Sequence, residues 1–187
     1  MKRTLAFLTA ICLLLCFGGC SKKAQSQETP KTVKEVEEYA IKGQMPESEY
    51  KLGDDIATIK SELDKIALED SESGQYFEGR GDSFNYLQSA SFAYYYLKNS
   101  KNPTLSCLVS FEKAYTFNVG DLIIEVEQGL SDYGFTEENF NDTNSFYIFG
   151  AQDGTILKKE FGEYTVSFAF IDNALAATAI YITNDWK

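Results

Sequence analysis

The sequence contains no histidine, and this absence limits the chemistry that the protein could perform. Catalytic triads, histidine–carboxylate relays and cysteine–histidine nucleophiles all need an imidazole, and so do the usual zinc sites. A catalytic function would depend on carboxylates, lysine, tyrosine or serine, and no set of these residues in the sequence has the pattern of an active site. We therefore predict a protein that is not an enzyme and that uses no cofactor and no metal.

Cysteine is scarce as well, with four residues in the whole chain. Cys12 and Cys16 lie in the apolar N-terminal stretch and Cys20 follows it, so that Cys107 is alone in the body of the chain. A single cysteine cannot form an intramolecular disulfide. Cys107 lies among alternating apolar and polar residues, which predicts a small buried residue of a strand.

Residues 1–19 have the pattern of a targeting segment. Lys2 and Arg3 precede an apolar run, Leu5–Phe17, that small residues follow;. The run has 13 residues, whereas a transmembrane helix needs ~20. The segment is therefore predicted to be a signal peptide rather than a membrane span.

The segment ends in Phe17-Gly18-Gly19-Cys20, which resembles the bacterial lipobox, although Leu is usual at the first position and Ala or Ser at the second. The resemblance implies that Cys20 becomes the new N-terminus and carries lipid, palmitate included. We therefore expect a lipoprotein anchored in the cell membrane, facing outside the cytoplasm; the alternative is an ordinary secretory signal. Residues 20–31 are polar and are predicted to form a flexible tether.

Acidic residues outnumber basic ones. Loss of the signal peptide would leave 15 basic and 28 acidic residues, a net charge of about −13. Nucleic acids and anionic lipid head groups repel such a surface. We therefore expect no nucleic-acid partner, and we expect the N-terminal lipid to make the contact with the membrane.

Two stretches of the sequence share one pattern at an offset of 67 residues. The first contains Leu52-Gly53-Asp54 before Ile56, and the second contains Val119-Gly120-Asp121 before Ile123. In each, glycine favours a turn, aspartate can cap a helix, and the apolar residues that follow recur at helical spacing. Both stretches are therefore predicted to begin a helix, with Asp54 or Asp55 as the cap of the first.

The remaining patterns predict the other elements. A short N-terminal helix is predicted over residues 32–41, and the helix after Asp55 is predicted to bury Ile56, Ile59, Leu63 and Ile66;. Period-two patterns predict strands near residues 76–87, 91–97, 104–112, 146–149, 155–160, 164–171 and 175–183, with a polar loop at 136–144;. These elements indicate an α+β fold of two tandem units, each a helix packed on about four antiparallel strands. The predicted units, residues 50–113 and 114–187, follow a linker region at 32–49 and form one continuous twisted sheet with its helices on one face.

A tandem helix-plus-four-strand unit that opens with aliphatic-Gly-Asp resembles two families. In the β-lactamase inhibitor proteins two repeats form a long concave sheet that grips a partner protein. The SmpA/OmlA-type lipoproteins of the outer-membrane barrel-assembly machinery carry one unit with a Val-Gly-Met-Thr opening and a later Leu-Gly-x-Pro. Val119-Gly120-Asp121 is similar to that opening, but no Leu-Gly-x-Pro follows either helix. The resemblance implies a sheet that binds a protein.

Aligning the strands of the two units predicts which side chains face away from the helices. Val166, Phe168 and Phe170 are predicted to face the helices, and residues 91–97 are aligned with 164–170. With this alignment Cys107 and Val109 also face the helices. The outer face then carries four aromatic side chains, which are Phe92, Tyr94, Tyr96 and Tyr181.

Exposed aromatic residues on a sheet face favour a protein partner, because tyrosine supplies contact area and a hydrogen-bonding tip. We therefore predict a non-catalytic module that binds an envelope or extracellular protein through these four residues. Three alternatives remain at this point. The chain itself or a second copy covers the face, or the protein binds a small ligand or substrate in a closed pocket, or it is an envelope enzyme.

Overall fold

The computed structural model describes residues 34–70, 74–140 and 153–186. Within these residues the chain has an α+β fold with three α-helices and an eight-stranded antiparallel sheet. The helices are α1 (Lys34–Ala40), α2 (Ile56–Glu69) and α3 (Ile123–Leu130), and no helix in the described part is long and apolar enough to cross a membrane. The signal peptide, Cys20, the tether and the strand predicted at 146–149 lie outside the described residues.

The large sheet has two halves that meet in its middle. Its strands are β1 (Phe77–Arg80), β2 (Phe84–Gln88), β3 (Phe92–Leu97), β4 (Cys107–Ser110), β7 (Thr136–Phe140), β8 (Gly154–Phe161), β9 (Tyr164–Ile171) and β10 (Ala174–Ile182). Their spatial order is β1-β2-β3-β4-β10-β9-β8-β7. A small hairpin, β5 (Lys113–Ala114) and β6 (Phe117–Asn118), connects the first half, α2 with β1–β4, to the second half, α3 with β7–β10.

The glycines that precede α2 and α3 have the same conformation and the same partner. Gly53 has φ +92° and Gly120 has φ +95°, a region that residues with a Cβ rarely adopt. The amide of Gly53 donates to the carbonyl of Leu105 at 2.8 Å, and the amide of Gly120 donates to the carbonyl of Leu175 at 2.8 Å. Each turn is thus fixed to the start of the last strand of its own half.

The aspartates that follow these glycines also make matching bonds. The backbone carbonyl of Asp54 accepts from the amide of Leu105, and that of Asp121 accepts from the amide of Leu175, both at 2.8 Å. Their carboxylates accept from the backbone three residues earlier, at 2.9 Å and 2.8 Å respectively. The aspartate of each motif therefore stabilises the turn rather than the helix.

Capping of the two helices differs. Asp55 caps α2, and its Oδ1 accepts from the amide of Thr58 at 2.8 Å;. At the start of α3 the corresponding residue is Leu122, whose side chain has no acceptor, although Glu125 Oε2 accepts from the Leu122 amide at 3.2 Å. The prediction that α2 buries Ile66 is wrong, because Ile66 is 48% exposed and the core contacts of α2 end at Leu63.

The helices pack on one face of the sheet. The main core combines buried residues of α1, α2 and α3 with one alternating set of strand residues, which includes Leu87, Tyr94, Leu108, Leu157, Val166, Phe168, Phe170 and Ile180. The alternate set on the central strands forms a second cluster that contains no residue of these helices, namely Ala93, Tyr95, Cys107, Val109, Ala177, Ala179 and Tyr181. We call the side of the sheet with this second cluster the helix-free face.

The predicted faces are correct in the second half and wrong in the first. Val166, Phe168 and Phe170 face the helices as predicted, and Tyr181 lies on the helix-free face. Tyr94, however, is 5% exposed inside the helix-side core. Phe92 and Tyr96 pack against the same core, and Cys107 and Val109 lie on the helix-free face.

A β-bulge and a slip of one residue explain this error. The amide of Ser106 donates to the carbonyl of Tyr95 at 2.8 Å, while Cys107 is the register partner of Tyr95. Ser106 is thus an extra residue in its strand, and the residues beyond it change face. The pair Tyr94–Leu108 of the first half corresponds to the pair Phe168–Thr178 of the second half. The predicted alignment of β3 with β9 was therefore displaced by one residue. Such a displacement assigns every side chain of the strand to the opposite face of the sheet.

One predicted loop is also wrong in part. Residues 136–140 form the edge strand β7, which pairs with β8. Glu137 and Glu138 gave this stretch a polar character that favoured a loop, but charged side chains are common on edge strands, where they oppose pairing with other chains.

Candidate protein-binding surface

Six aromatic side chains belong to or pack against the second cluster on the helix-free face, and ring contacts join five of them. These five are Phe84, Tyr86, Tyr95, Tyr181 and Trp186, and we call them the aromatic cluster; the sixth is Phe111. Trp186 belongs to a short 3₁₀ turn, Thr183–Trp186, which follows β10. Its ring stacks on Phe84 with centroids 3.9 Å apart and planes inclined by 14°. It also contacts the ring of Tyr95 at 5.8 Å and that of Tyr181 at 6.1 Å.

Hydrogen bonds fix the position of Trp186. Its Nε1 donates to Ser106 Oγ at 3.2 Å, and Ser106 Oγ donates to Asp185 Oδ2 at 2.7 Å. Ser106 is the bulged residue of the first half, whereas Trp186 follows the last strand of the second half. The tryptophan, which is the only one in the chain, therefore connects the two halves across the helix-free face.

The aromatic surface extends to the edge of the sheet. Tyr86 lies 5.1 Å from the ring of Tyr95 and 5.9 Å from that of Phe77, between ring centroids. Its ring covers Gly79, where a Cβ would lie 1.9 Å from the Tyr86 Cζ, so that a larger residue at position 79 would displace the ring. Phe77 on the edge strand is 53% exposed, and Phe84, Tyr86 and Trp186 are half-buried.

Short side chains occupy the centre of the helix-free face. The register places Ala93, Val109, Ala179 and Ser167 side by side on four neighbouring strands, and all four are fully buried. The hydroxyl of Ser167 has no hydrogen-bond partner among the described residues.

An open cavity of about 470 Å³ adjoins Trp186. Its lining includes Thr136, Lys158, Glu160, Thr165, Tyr181 and Trp186. At its base Thr165 Oγ1 and Thr183 Oγ1 share a hydrogen bond of 2.8 Å, and Thr165 also bonds the hydroxyl of Tyr181.

The charges around this cavity are of both signs. Lys158 Nζ lies 2.8 Å from Glu138 Oε2 in an ion pair. Glu160 is exposed and forms no ion pair with any described residue. Burial raises the pKa of Tyr181, and Cys107, Glu138 and Glu160 add to the rise. The charged residues of the lining are therefore two lysines, Lys158 and Lys159, and one glutamate, Glu160.

The structure brings together only part of the predicted site. Tyr181 belongs to the aromatic cluster but is 5% exposed, and Phe92, Tyr94 and Tyr96 lie on the other face of the sheet. Sequence reasoning missed Phe84, Tyr86, Tyr95 and Trp186. The period-two spacing of Phe84 and Tyr86 was a usable signal, whereas the place of Trp186 depends on tertiary contacts that no local pattern shows.

The fold and surface define an α+β protein with a helix-free aromatic sheet face. No protein-family model, curated protein or solved structure matches the chain.

Proposed function

We propose that the protein is a non-catalytic lipoprotein of the cell envelope that binds a partner protein through the aromatic cluster. The observation that supports this most is the group of half-buried rings of Phe84, Tyr86 and Trp186 on the helix-free face. Tryptophan and tyrosine are enriched among the residues that contribute most to protein–protein affinity. The supporting contacts of Trp186 reduce the conformational entropy that binding would cost.

We also propose that residues 50–113 and 114–187 are tandem units. The matching φ angles of Gly53 and Gly120 and their matching bonds to Leu105 and Leu175 support this. So does the mirrored order of the strands, in which the last strands of the two halves pair. The resemblance to the β-lactamase inhibitor proteins and the SmpA/OmlA-type lipoproteins then suggests why a protein-binding surface would lie on the sheet.

Site-specific photocrosslinking tests the binding function. A photoreactive phenylalanine analogue is placed at Phe84 or, as a control, at Leu68, which is 86% exposed on α2. After irradiation of intact cells, a partner should be crosslinked from position 84 and not from position 68. The captured protein is then purified, and binding to the unmodified protein is measured in solution.

Two outcomes would contradict the proposal. In one, positions 84 and 68 capture the same set of proteins, so that the helix-free face has no specific contact. In the other, the protein captured from position 84 fails to bind the purified protein. Either result would leave the aromatic cluster as a structural element only.

The membrane anchor is tested separately at Cys20. Cells labelled with radioactive palmitate should incorporate label into the wild-type protein, whereas Cys20→Ser should abolish labelling and move the protein to the soluble fraction. A Cys107→Ser variant is the matched control and should keep its label. Equal labelling of the wild type and Cys20→Ser would contradict lipid attachment at this residue.

A small-ligand function is the second candidate, and the cavity beside Trp186 is the observation that favours it. A volume of about 470 Å³ would accommodate a small molecule;. The cavity is open rather than enclosed, however, which suits a projecting side chain of a protein better than an enclosed ligand.

A further inference from the structure

The edge of the large sheet that β1 forms is open. Strand β1 pairs with β2 on one side, and no described residue pairs with its other side. Its residues are exposed except Gly79, which is half-buried. An open edge presents a row of backbone donors and acceptors on which another strand can pair. We propose that β1 pairs antiparallel with β1 of a second copy of this chain, so that the two sheets become continuous across a two-fold axis.

The hydrogen bonds of the β1–β2 hairpin show which residues of β1 have free backbone groups. The amide of Gly81 donates to the carbonyl of Phe84 at 2.7 Å, and hydrogen-bonded pairs recur at every second residue of an antiparallel ladder. The register therefore directs the backbone groups of Gly79 towards β2. The amides and carbonyls of Glu78 and Arg80 then point away from β2, towards the open edge.

A two-fold axis at Gly79 joins these free backbone groups in pairs. It places Glu78 opposite Arg80 of the second copy, and Arg80 opposite Glu78 of the second copy. Each of these pairs can exchange two backbone hydrogen bonds, so that the contact contains about four of them. Because the axis is perpendicular to the sheet, the helix-free faces of both copies lie on the same side. The backbone pattern of β1 is therefore complementary to itself.

The charged side chains of β1 favour this register over its neighbours. Glu78 and Arg80 lie on one face of the strand, because they are two residues apart, and Glu78 Oε1 lies 2.6 Å from Lys60 Nζ of α2. The Glu78 side chain is still 50% exposed, and Arg80 forms no ion pair with any described residue. Opposite charges directly across an antiparallel pair stabilise it, and like charges destabilise it. A shift of the register to either side would bring two copies of Glu78 or two copies of Arg80 together, so that the charges select the axis at Gly79.

The other face of β1 carries an apolar side chain that the pairing would cover. Phe77 lies on the helix-free face, where its ring centroid is 5.9 Å from that of Tyr86, and Phe77 is 53% exposed. In the two-fold register Phe77 is opposite Gly81 of the second copy, which has no side chain to hinder the ring. The ring can therefore pack on the neighbouring backbone, as aromatic residues do beside glycine in sheets. The same register thus pairs the charges on one face and covers an exposed ring on the other.

The opposite edge of the sheet does not have this self-complementarity. Strand β7 contains the acidic residues Glu137 and Glu138 and no basic residue. Pairing of two β7 strands would bring only negative charges together, which opposes it. The charges therefore distinguish β1 as the edge that can pair with itself, and a two-fold contact at one edge closes at a dimer instead of continuing into a fibre.

Sedimentation velocity tests the inference on the protein from residue 21 to 187, which contains every helix and strand of the described fold. A contact through one short strand buries less surface than most stable dimers do. We therefore expect a dissociation constant on the order of 10–100 μM. The wild type should accordingly shift from monomer towards dimer between about 5 and about 500 μM.

Charge reversals assign the dimer to β1. Arg80→Glu should place acids opposite each other and Glu78→Arg should place bases opposite each other, so that each variant dimerises at least about tenfold more weakly than the wild type. An equimolar mixture of the two variants restores both opposite-charge pairs and should form a heterodimer with an affinity within about fivefold of that of the wild-type dimer. Glu163→Arg, which reverses an exposed charge between β8 and β9, is the matched control and should leave dimerisation unchanged. All three positions are exposed, and equal thermal midpoints check that the variants are folded.

Three results would overturn the inference. They are a wild type that stays monomeric at the highest concentration, an Arg80→Glu variant that dimerises as the wild type does, and a mixture of the two variants that stays monomeric. The first result would leave the open edge to a strand of another protein. The inference goes beyond the proposed function and does not rest on it, because sedimentation reports on the edge of the sheet and not on the aromatic cluster.

Discussion

The two halves of the sheet share a backbone plan and differ in the side chains that they present. On the helix-free face the first half contributes the rings of Phe84, Tyr86 and Tyr95. The second half contributes short buried residues of β9, such as Thr165 and Ser167, and the rings of Tyr181 and Trp186 at its boundary with the first half. The aromatic contact area therefore lies towards the first half, although the two halves have the same backbone arrangement.

The helix starts show the same combination of likeness and difference. Gly53 and Gly120 make matching turns, but Asp55 caps α2 whereas Leu122 leaves α3 without a side-chain cap. The backbone hydrogen bonds that join a helix to its strand are thus kept, while the capping side chain is not. The backbone hydrogen bonds therefore determine the shared architecture, and the side chains at the surface can differ between the two halves.

The largest expected effect concerns matching core positions of the two halves. Phe168→Ala should lower the free energy of unfolding by ~3–5 kcal/mol, because Phe168 is fully buried among the rings of Phe117 and Phe135. Tyr94→Ala should lower it less, because the neighbouring ring of Phe92 is only half-buried. Urea unfolding followed by circular dichroism measures both values, and a larger loss at Tyr94 would contradict the expected order.

The next effect tests whether the two turns are equivalent. Gly53→Ala and Gly120→Ala should each destabilise the protein by ~1–3 kcal/mol through strain at positive φ, and the two losses should be similar. Neither site has an atom within 4 Å of the added Cβ, so that steric contacts do not confuse the comparison. Denaturant midpoints check the prediction, and a loss at one position alone would show that the turns differ in strain.

The helix caps give a smaller effect of opposite sign in the two halves. Asp55→Ala should destabilise the protein by ~1 kcal/mol, and Leu122→Ser should stabilise it by ~1 kcal/mol, because serine can cap α3 and form a capping box with Glu125. Leu122 is 49% exposed, so its replacement removes little burial. Thermal unfolding measures both shifts. Loss of stability in Leu122→Ser would contradict the prediction.

The smallest effect concerns a hydrogen bond between the N-terminal region and the hairpin that connects the two halves. Glu47 Oε2 accepts from the amide of Tyr115 at 3.0 Å beside the hairpin of β5 and β6. Burial raises the pKa of Glu47 above its ordinary value of 4.5, although this hydrogen bond and Lys113 oppose the rise. The folded state therefore binds the proton more tightly than the unfolded state, and the contribution of Glu47 to stability falls as the pH rises through its folded-state pKa.

Glu47→Gln should remove this pH dependence. The stability of the variant relative to the wild type should increase between about pH 4.5 and neutral pH;. Unfolding curves at a series of pH values measure the difference. A difference that stays constant or decreases over this range would show that the ionised carboxylate is stabilised where it lies.

Sequence patterns predicted the α+β class, the starts of α2 and α3 and the second-half faces, because glycine turns, aspartates and periodicity are local signals. They could not predict the bulge at Ser106, since an extra residue in a strand is defined by its partner strand. The bulge placed Cys107 and Val109 on the wrong face, and the one-residue displacement of β3 against β9 did the same for Tyr94 and hid Tyr95. Trp186 was missed because its role depends on Phe84, about a hundred residues earlier in the chain.

The most direct test of the account is the affinity of the purified crosslinked partner for two double variants of matched thermal stability. Phe84→Ser with Tyr86→Ser alters the helix-free face, and Ile66→Ser with Leu68→Ser alters exposed apolar residues of α2. We predict that the first pair weakens binding roughly 30-fold or more, as hot-spot residues do, and that the second changes it less than about twofold. Equal affinities for the two variants, or a larger loss with the α2 pair, would contradict the assignment of the helix-free face as the binding surface.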